Sequence, residues 1–112
     1  MSELPTIDEE ILEEVKEDLE EEFQDYLQCF FDEADGWMKS IDDAVNGADA
    51  HTLYETAHAL KSSSGYLGAS ALQESATQLE ATGRSGSTDV GELSTMAKIQ
   101  LTELRVALAH YL

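Results

Sequence analysis

The stretch "LEEEFQDYLQCFFDEADGWMKSIDDAV", residues 19–45, decides the fold class. Its apolar positions Leu19, Phe23, Leu27, Phe30, Ala34, Trp37, Ile41 and Val45 recur in steps of three and four. That is the period of an amphipathic helix, held for about seven turns. The spacing predicts a long helix from about residue 18 to 45, stopped by Asn46-Gly47, with Asp49 as the N-cap of the next.

Working outward, the same period returns on both sides. Upstream, Thr6 with Glu9 three residues on has the form of a capping box, and Ile7, Ile11, Val15 and Leu19 give a short amphipathic helix. Downstream, Leu53, Ala57, Leu60 and Ser64 share one face of a third helix that Gly65 and Gly68 loosen or end. Ser70-x-x-Gln73 is a second capping-box pattern, opening a helix on Leu72, Ala76 and Leu79 that stops near Gly83. After the loop "GRSGSTD", a last helix uses Val90, Leu93, Ala97, Leu101, Leu104, Leu108 and Tyr111. No segment alternates with period two, and Pro5 is the only proline. The expected architecture is all-α: an antiparallel four-helix bundle with an additional short N-terminal helix, in one domain over residues 6–112 after a flexible tail, residues 1–5.

Composition narrows the function. The chain has 112 residues, 42% of them apolar, with 24 acidic against 6 basic side chains and a net charge of -18. Such a surface repels phosphate backbones and anionic membranes alike, so neither nucleic acid nor membrane is an expected partner. Neither a signal peptide nor an apolar span is read in the sequence, and the expected location is the cytoplasm, as a monomer. The single Cys29, next to Leu27, Phe30 and Phe31, is read as a small apolar packing residue, and Trp37 likewise as core. The charge is also uneven. Residues 1–50 hold 18 acids and 2 bases, whereas residues 51–112 hold 6 acids and 4 bases.

The nearly neutral half contains "TAHALKSSSGYLGA", residues 56–69, where a histidine and a lysine precede three serines and two glycines. At about 100° per residue, Ala57, Leu60 and Ser64 cluster near Leu53, while His58 lies roughly 140° away on the solvent side. Lys61 and Ser62 flank it one turn on, and His51 and Glu55 share its stripe. A core histidine is the ordinary explanation of a lone imidazole, and the helical phase rejects it. A displayed histidine with small neighbours suits chemistry on a group carried by another protein.

Glu55 and His58 form half of a di-iron bundle signature, but Ala48 and Ala107 stand where a second glutamate would be needed, three residues before His51 and His110. No nucleophile–base–acid set is spaced for hydrolysis, and no phosphate-binding glycine loop is present, which excludes bound ATP as a donor. Phosphoryl chemistry fits better. A neutral imidazole is a competent nucleophile toward phosphorus, and Lys61 one turn away can offset phosphoryl charge. Glu55, three residues before the histidine, is a candidate to hold its second ring nitrogen and fix the tautomer.

"AHALKSSSGYLGA" resembles the signature of histidine-containing phosphotransfer (HPt) domains, AHxLKGSSxxxGA, and "LEATGRSGS" resembles the end of their fourth helix. The resemblance implies that His58 accepts a phosphoryl group from a receiver-domain aspartate and passes it to another receiver, without autokinase activity. Lys61 would stabilise the phosphoryl group and Ser62 keep the surface open. Gly68 and Ala69 would mark the turn into the next helix. The implied partners are receiver domains of response regulators or hybrid histidine kinases, and the chain itself is either free-standing or a piece excised from a hybrid kinase. Mg²⁺ would be held by the receiver, leaving this chain no cofactor or metal of its own.

Ile11 and Val15, with Glu55, Gly65 and Tyr66, are the expected docking residues, although Ile11 and Val15 read equally well as a cap on the bundle. One departure is Ser62, where the signature has glycine. Such a carrier with a phosphohistidine intermediate need not count as an enzyme in its own right. The rival reading is an HPt-like interaction module that binds a receiver or kinase without being phosphorylated, and a third is an acidic bundle with a structural role.

Overall fold

The computed structural model describes residues 3–112 of the chain; of the expected tail, Met1 and Ser2 lie outside the described residues. Five α-helices follow in order: α1 (Glu9–Leu19), α2 (Phe23–Asn46), α3 (Ala50–Leu67), α4 (Ser70–Arg84) and α5 (Leu93–Ala107), with 3₁₀ turns at Glu20–Glu22 and Ala109–Tyr111. No strand is present among the described residues. The expected bundle of four helices preceded by a short one is the fold observed.

The long helix starts later than its apolar pattern suggests. Glu20 takes φ 51°, outside the helical region, and the chain turns through Glu20–Glu22 before α2 begins at Phe23. An unbroken helix would place Glu17 beside Glu21 and Asp18 beside Glu22, like charges at i,i+4. The break instead puts Glu20, Glu21 and Glu22 ahead of α2, where its dipole favours acids. The C-terminus closes over this junction: Tyr111 packs edge-on against Phe23 at 5.2 Å and its hydroxyl meets Lys16 Nζ at 3.1 Å.

The core runs along all five helices. In α2 it follows Phe23, Leu27, Phe30, Phe31, Ala34, Met38, Ile41 and Ala44. The expected Trp37 and Val45 sit on the shoulders of that line, partly buried and packed against it. Cys29 corrects the sequence reading: it is exposed, its thiol facing Glu33, because two helical residues beyond Leu27 is roughly 200° away from it. The face of α3 comes out as its period requires, with Leu53, Ala57, Leu60 and Ser64 all fully buried.

Two helix starts also differ. Asp8, not Thr6, caps α1, its carboxylate accepting from the backbone N–H groups of Glu10 and Ile11. The chain before it leaves the helical path to join the α3–α4 corner, where Asp8 N–H donates to the Gly68 carbonyl at 2.7 Å and the Pro5 carbonyl accepts from Ala71 N–H. Ser70 is the first residue of α4 and does not cap it; Ala69 holds the cap position without a side-chain bond. That start is set by the sharpness of the corner. Gly68, at φ 90°, ends α3 in the left-handed region, and Gly68 and Ala69 N–H both donate to the Ser64 carbonyl.

The corner returns α4 antiparallel along α3, and the two stay close to their far ends. There, a Cβ on Gly83 would stand 2.6 Å from Tyr54 N and 2.9 Å from the Ala50 carbonyl oxygen. Those are backbone atoms, which cannot rotate away. Gly83→Ala is therefore expected to lower stability by about 1–3 kcal/mol through overpacking, outweighing the up to about 1 kcal/mol that alanine gains in helix propensity. A urea titration checks this: the midpoint should fall while the slope is unchanged.

Candidate functional site

The antiparallel register of α3 and α4 sets Gly83 against Tyr54 and, one turn earlier on α4, Glu80 against the turn that carries His58 and Lys61. Glu80 is 3% exposed, a carboxylate in the seam between two helices. Burying a charge is costly unless it is paired and hydrogen-bonded. Here both oxygens are used. Oε2 bonds His58 Nδ1, while Oε1 accepts from Lys61 Nζ at 2.7 Å and has Arg84 Nη2 at 3.4 Å.

The ammonium of Lys61 does most to hold the Glu80 carboxyl below the usual carboxylate range, with His58 and Arg84 adding to it, against burial, which pushes upward. An ionised carboxylate only accepts, so the nitrogen facing it must carry the proton. The ring is thereby assigned as the Nδ1–H tautomer, leaving the lone pair on Nε2. The His58 side chain is 55% exposed, as its helical phase predicts. Tyr54 lies stacked beside it, ring centres 6.1 Å apart, and Arg84 lies over the far neighbourhood of that tyrosine, 5.4 Å from its ring centre. The imidazole is oriented from one side by Glu80, flanked by Tyr54, and open on the other.

The partner expected for the ring nitrogen was Glu55; it is Glu80 instead. Glu55 Oε1 faces His51 Nε2 at 3.2 Å, an exposed pair one turn earlier on α3. Glu80 is not among the residues that the sequence reading singles out. Its signal is phase: four residues after Ala76 and three before Gly83, it falls on the face of α4 that packs inward.

Lys61 is part-buried and committed to Glu80 by one of its three N–H donors. Ser62 is exposed one turn past His58. Gly65 is half-buried, with the Gln73 side chain lying over it, and Tyr66 is 48% exposed, edge-on to Tyr26 at 5.7 Å. That contact and its burial push the Tyr26 hydroxyl up to about 12, burial being the larger cause. Ile11 is half-buried against Gly68. Val15 is buried at 3% exposure, which leaves it no surface to offer a partner and makes it part of the core instead. Among the described residues, no group of three or more His, Cys, Asp or Glu side chains is gathered to hold a metal ion.

The depressed Glu80 carboxyl gives a stability term with a definite sign. A group whose folded pKa lies below its ordinary value of 4.5 stabilises above that value and loses its contribution as pH falls through the folded pKa. Glu80→Gln is expected to cost on the order of 1–2 kcal/mol at neutral pH, the scale of hydrogen bonds to charged groups, here with partners His58 and Lys61 that keep access to solvent. The gap between wild type and variant, read by urea melts from pH 7 downward, should close below pH 4.5. A gap that stayed constant to low pH would show that the carboxylate charge contributes nothing.

No curated protein matches the sequence. Among solved structures, the chain is similar to the histidine-containing phosphotransfer protein B (HptB) of Pseudomonas aeruginosa PAO1. The TM-score is 0.91 at 25% sequence identity, over 95% of this chain and 93% of that one. The family described as "Hpt domain" matches residues 25–109. That match takes in α2 to α5 with the His58–Lys61–Glu80 cluster, and the chain therefore belongs to the Hpt domain family, the phosphotransfer proteins of two-component signalling.

Proposed function

We propose that His58 is the phosphoryl acceptor of a two-component phosphorelay, taking the group from a receiver-domain aspartate and passing it to a second receiver. The observation that carries this reading is the oriented imidazole: Glu80 holds Nδ1, and the exposed ring presents Nε2 outward. The Nε2 lone pair forms the N–P bond as the P–O bond to the receiver's carboxylate breaks and its electron pair returns to that carboxylate. Lys61, with two N–H donors beyond the one given to Glu80, supplies positive charge at the phosphoryl oxygens. Mg²⁺ belongs to the receiver in this reading, and the chain brings no cofactor.

Docking uses the surface around the histidine. Ser62 and Glu55 are exposed on α3, Tyr66 stands out at its C-terminal end, and Gly65 and Ile11 are partly open beside it. Ser62 adds a CH₂OH where the family signature has glycine, a small group on an open face. No helix among the described residues is long and apolar enough to cross a membrane. A cytoplasmic monomer that meets its receivers by diffusion is part of the same proposal.

The test is transfer from a phosphorylated receiver with Mg²⁺ to wild type and to His58→Gln. The expected label appears on wild type, is lost in acid, survives alkali and is absent from the variant. Binding without label, across several receivers, would replace this reading with that of an interaction module. Ser62→Gly is expected to change the transfer rate less than about tenfold, a barrier change below about 1.4 kcal/mol. Transfer by Ser62→Gly with none by wild type would show that the serine closes the face.

A further inference from the structure

We infer that Glu80 is a positioning residue that sets the lability of the phosphoryl group on His58, by keeping Nδ1 protonated after Nε2 has taken up phosphorus. This rests on the carrier reading above and extends it to the phosphorylated state. In the acceptor step no proton needs to move: Nδ1 keeps its hydrogen, Nε2 gains phosphorus, and the ring becomes an imidazolium. The fate of that cation decides how readily the phosphoryl group leaves. If Nδ1 keeps its proton, cleavage of the N–P bond returns the electron pair to Nε2 and expels a neutral imidazole. If Nδ1 loses it, the same cleavage must expel an imidazolide anion, a far poorer leaving group.

The seam is built to hold the proton. Glu80 is 3% exposed and ionised, and its Oε2 faces Nδ1 while Oε1 is occupied by the two cations. The charged and titratable groups around the proton come from both packed helices. From α4 they are Glu80 and Arg84, and from α3 they are Lys61, Tyr54, Glu55 one turn before His58, and His51 two turns before it and paired with Glu55. Lys61 and Arg84 oppose the imidazolium by like charge, and both are drawn to the oxygen that does not face the ring. A nearby opposite charge favours the charged form of a group, by one to three pH units at contact distance. Glu80 therefore raises the midpoint of the phosphoimidazole, and the two cations trim it.

The carboxylate thus acts on both directions of transfer. Before phosphorylation it leaves Nε2 as the nucleophile, and afterwards it keeps the ring a good leaving group. A relay station needs both properties, since it must give up what it accepts. A neutral amide in place of Glu80 could still orient the ring, by offering its carbonyl oxygen, but would supply no charge.

The test removes the receiver from the measurement. Wild type, Glu80→Gln and Lys61→Met are phosphorylated with phosphoramidate, and the phosphoimidazole is titrated by ¹⁵N NMR while N–P hydrolysis is timed at each pH. Glu80→Gln is expected to lower the ring midpoint by about one pH unit, with its hydrolysis profile displaced by the same amount. Lys61→Met should move the midpoint upward. Opposite shifts distinguish charge at the proton from loosened packing, which has no reason to change sign between the two. An unshifted midpoint in Glu80→Gln, or a shift of the same sign in both variants, overturns the proposal. If Glu80→Gln fails to fold, an unshifted or lowered midpoint in Lys61→Met overturns it alone. A wild type that takes no label from phosphoramidate overturns the carrier reading and this proposal with it. That failure is told apart from the others because they require a labelled protein.

Discussion

The constraint on which the site depends is the close approach of α3 and α4. Gly83 lets the two backbones come together at one end of the seam, and the Gly68–Ala69 corner pins them at the other. Between those points the seam has room for one carboxylate and excludes water from most of it. Glu80 can be buried there because Lys61, His58 and Arg84 meet it at once. Widen the seam by the radius of a methyl group and the carboxylate hydrates, the imidazole turns freely, and the lysine becomes an ordinary surface cation. The helical scaffold is what turns three common side chains into an oriented, exposed imidazole.

The N-terminal helix is tied to the same corner. Asp8 N–H and the Pro5 carbonyl both bond into the Gly68–Ala71 turn, and Ile11 rests on the face of Gly68 that lacks a side chain. A Cβ on Gly68 would meet Ile11 Cβ at 2.9 Å, on top of its unfavourable φ of 90°. One glycine thus ends α3, starts the return of α4 and seats α1. That placement seats α1 against the C-terminal end of α3, the helix that carries His58 and Lys61.

The features legible in the sequence were those set by helical period, and the ones missed were set by contacts between helices. The phase of Leu53, Ala57 and Leu60 was enough to put His58 outside, and the burial of all three agrees with it. The same arithmetic applied to Cys29 would have put it outside too; its apolar neighbours in sequence misled because neighbours along a helix face different ways. Capping went wrong at Thr6 and Ser70 for another reason. Both lie where the chain is held by the α3–α4 corner, and those backbone bonds outweigh a local cap worth about 1 kcal/mol. Glu80 is the instructive omission. Twenty-four acids in one chain make solvent the default for each, and only its partners on another helix mark this one as different.

The proposed transfer asks that an anionic group be received by a chain with an excess of acid. Most of it lies in residues 1–50, on exposed positions of α1, the Glu20–Glu22 turn and α2. Exposed charges farther than about 8 Å are largely screened at physiological ionic strength. The field felt at His58 is therefore local, and locally the balance is even: Glu80, turned inward, and Glu55, facing His51, against Lys61 and Arg84. The Glu80 charge is spent inside the seam on Lys61, His58 and Arg84. Distant negative charge can then serve solubility with little effect at the site, where the buried acid bonded to the imidazole sits behind the ring, at Nδ1.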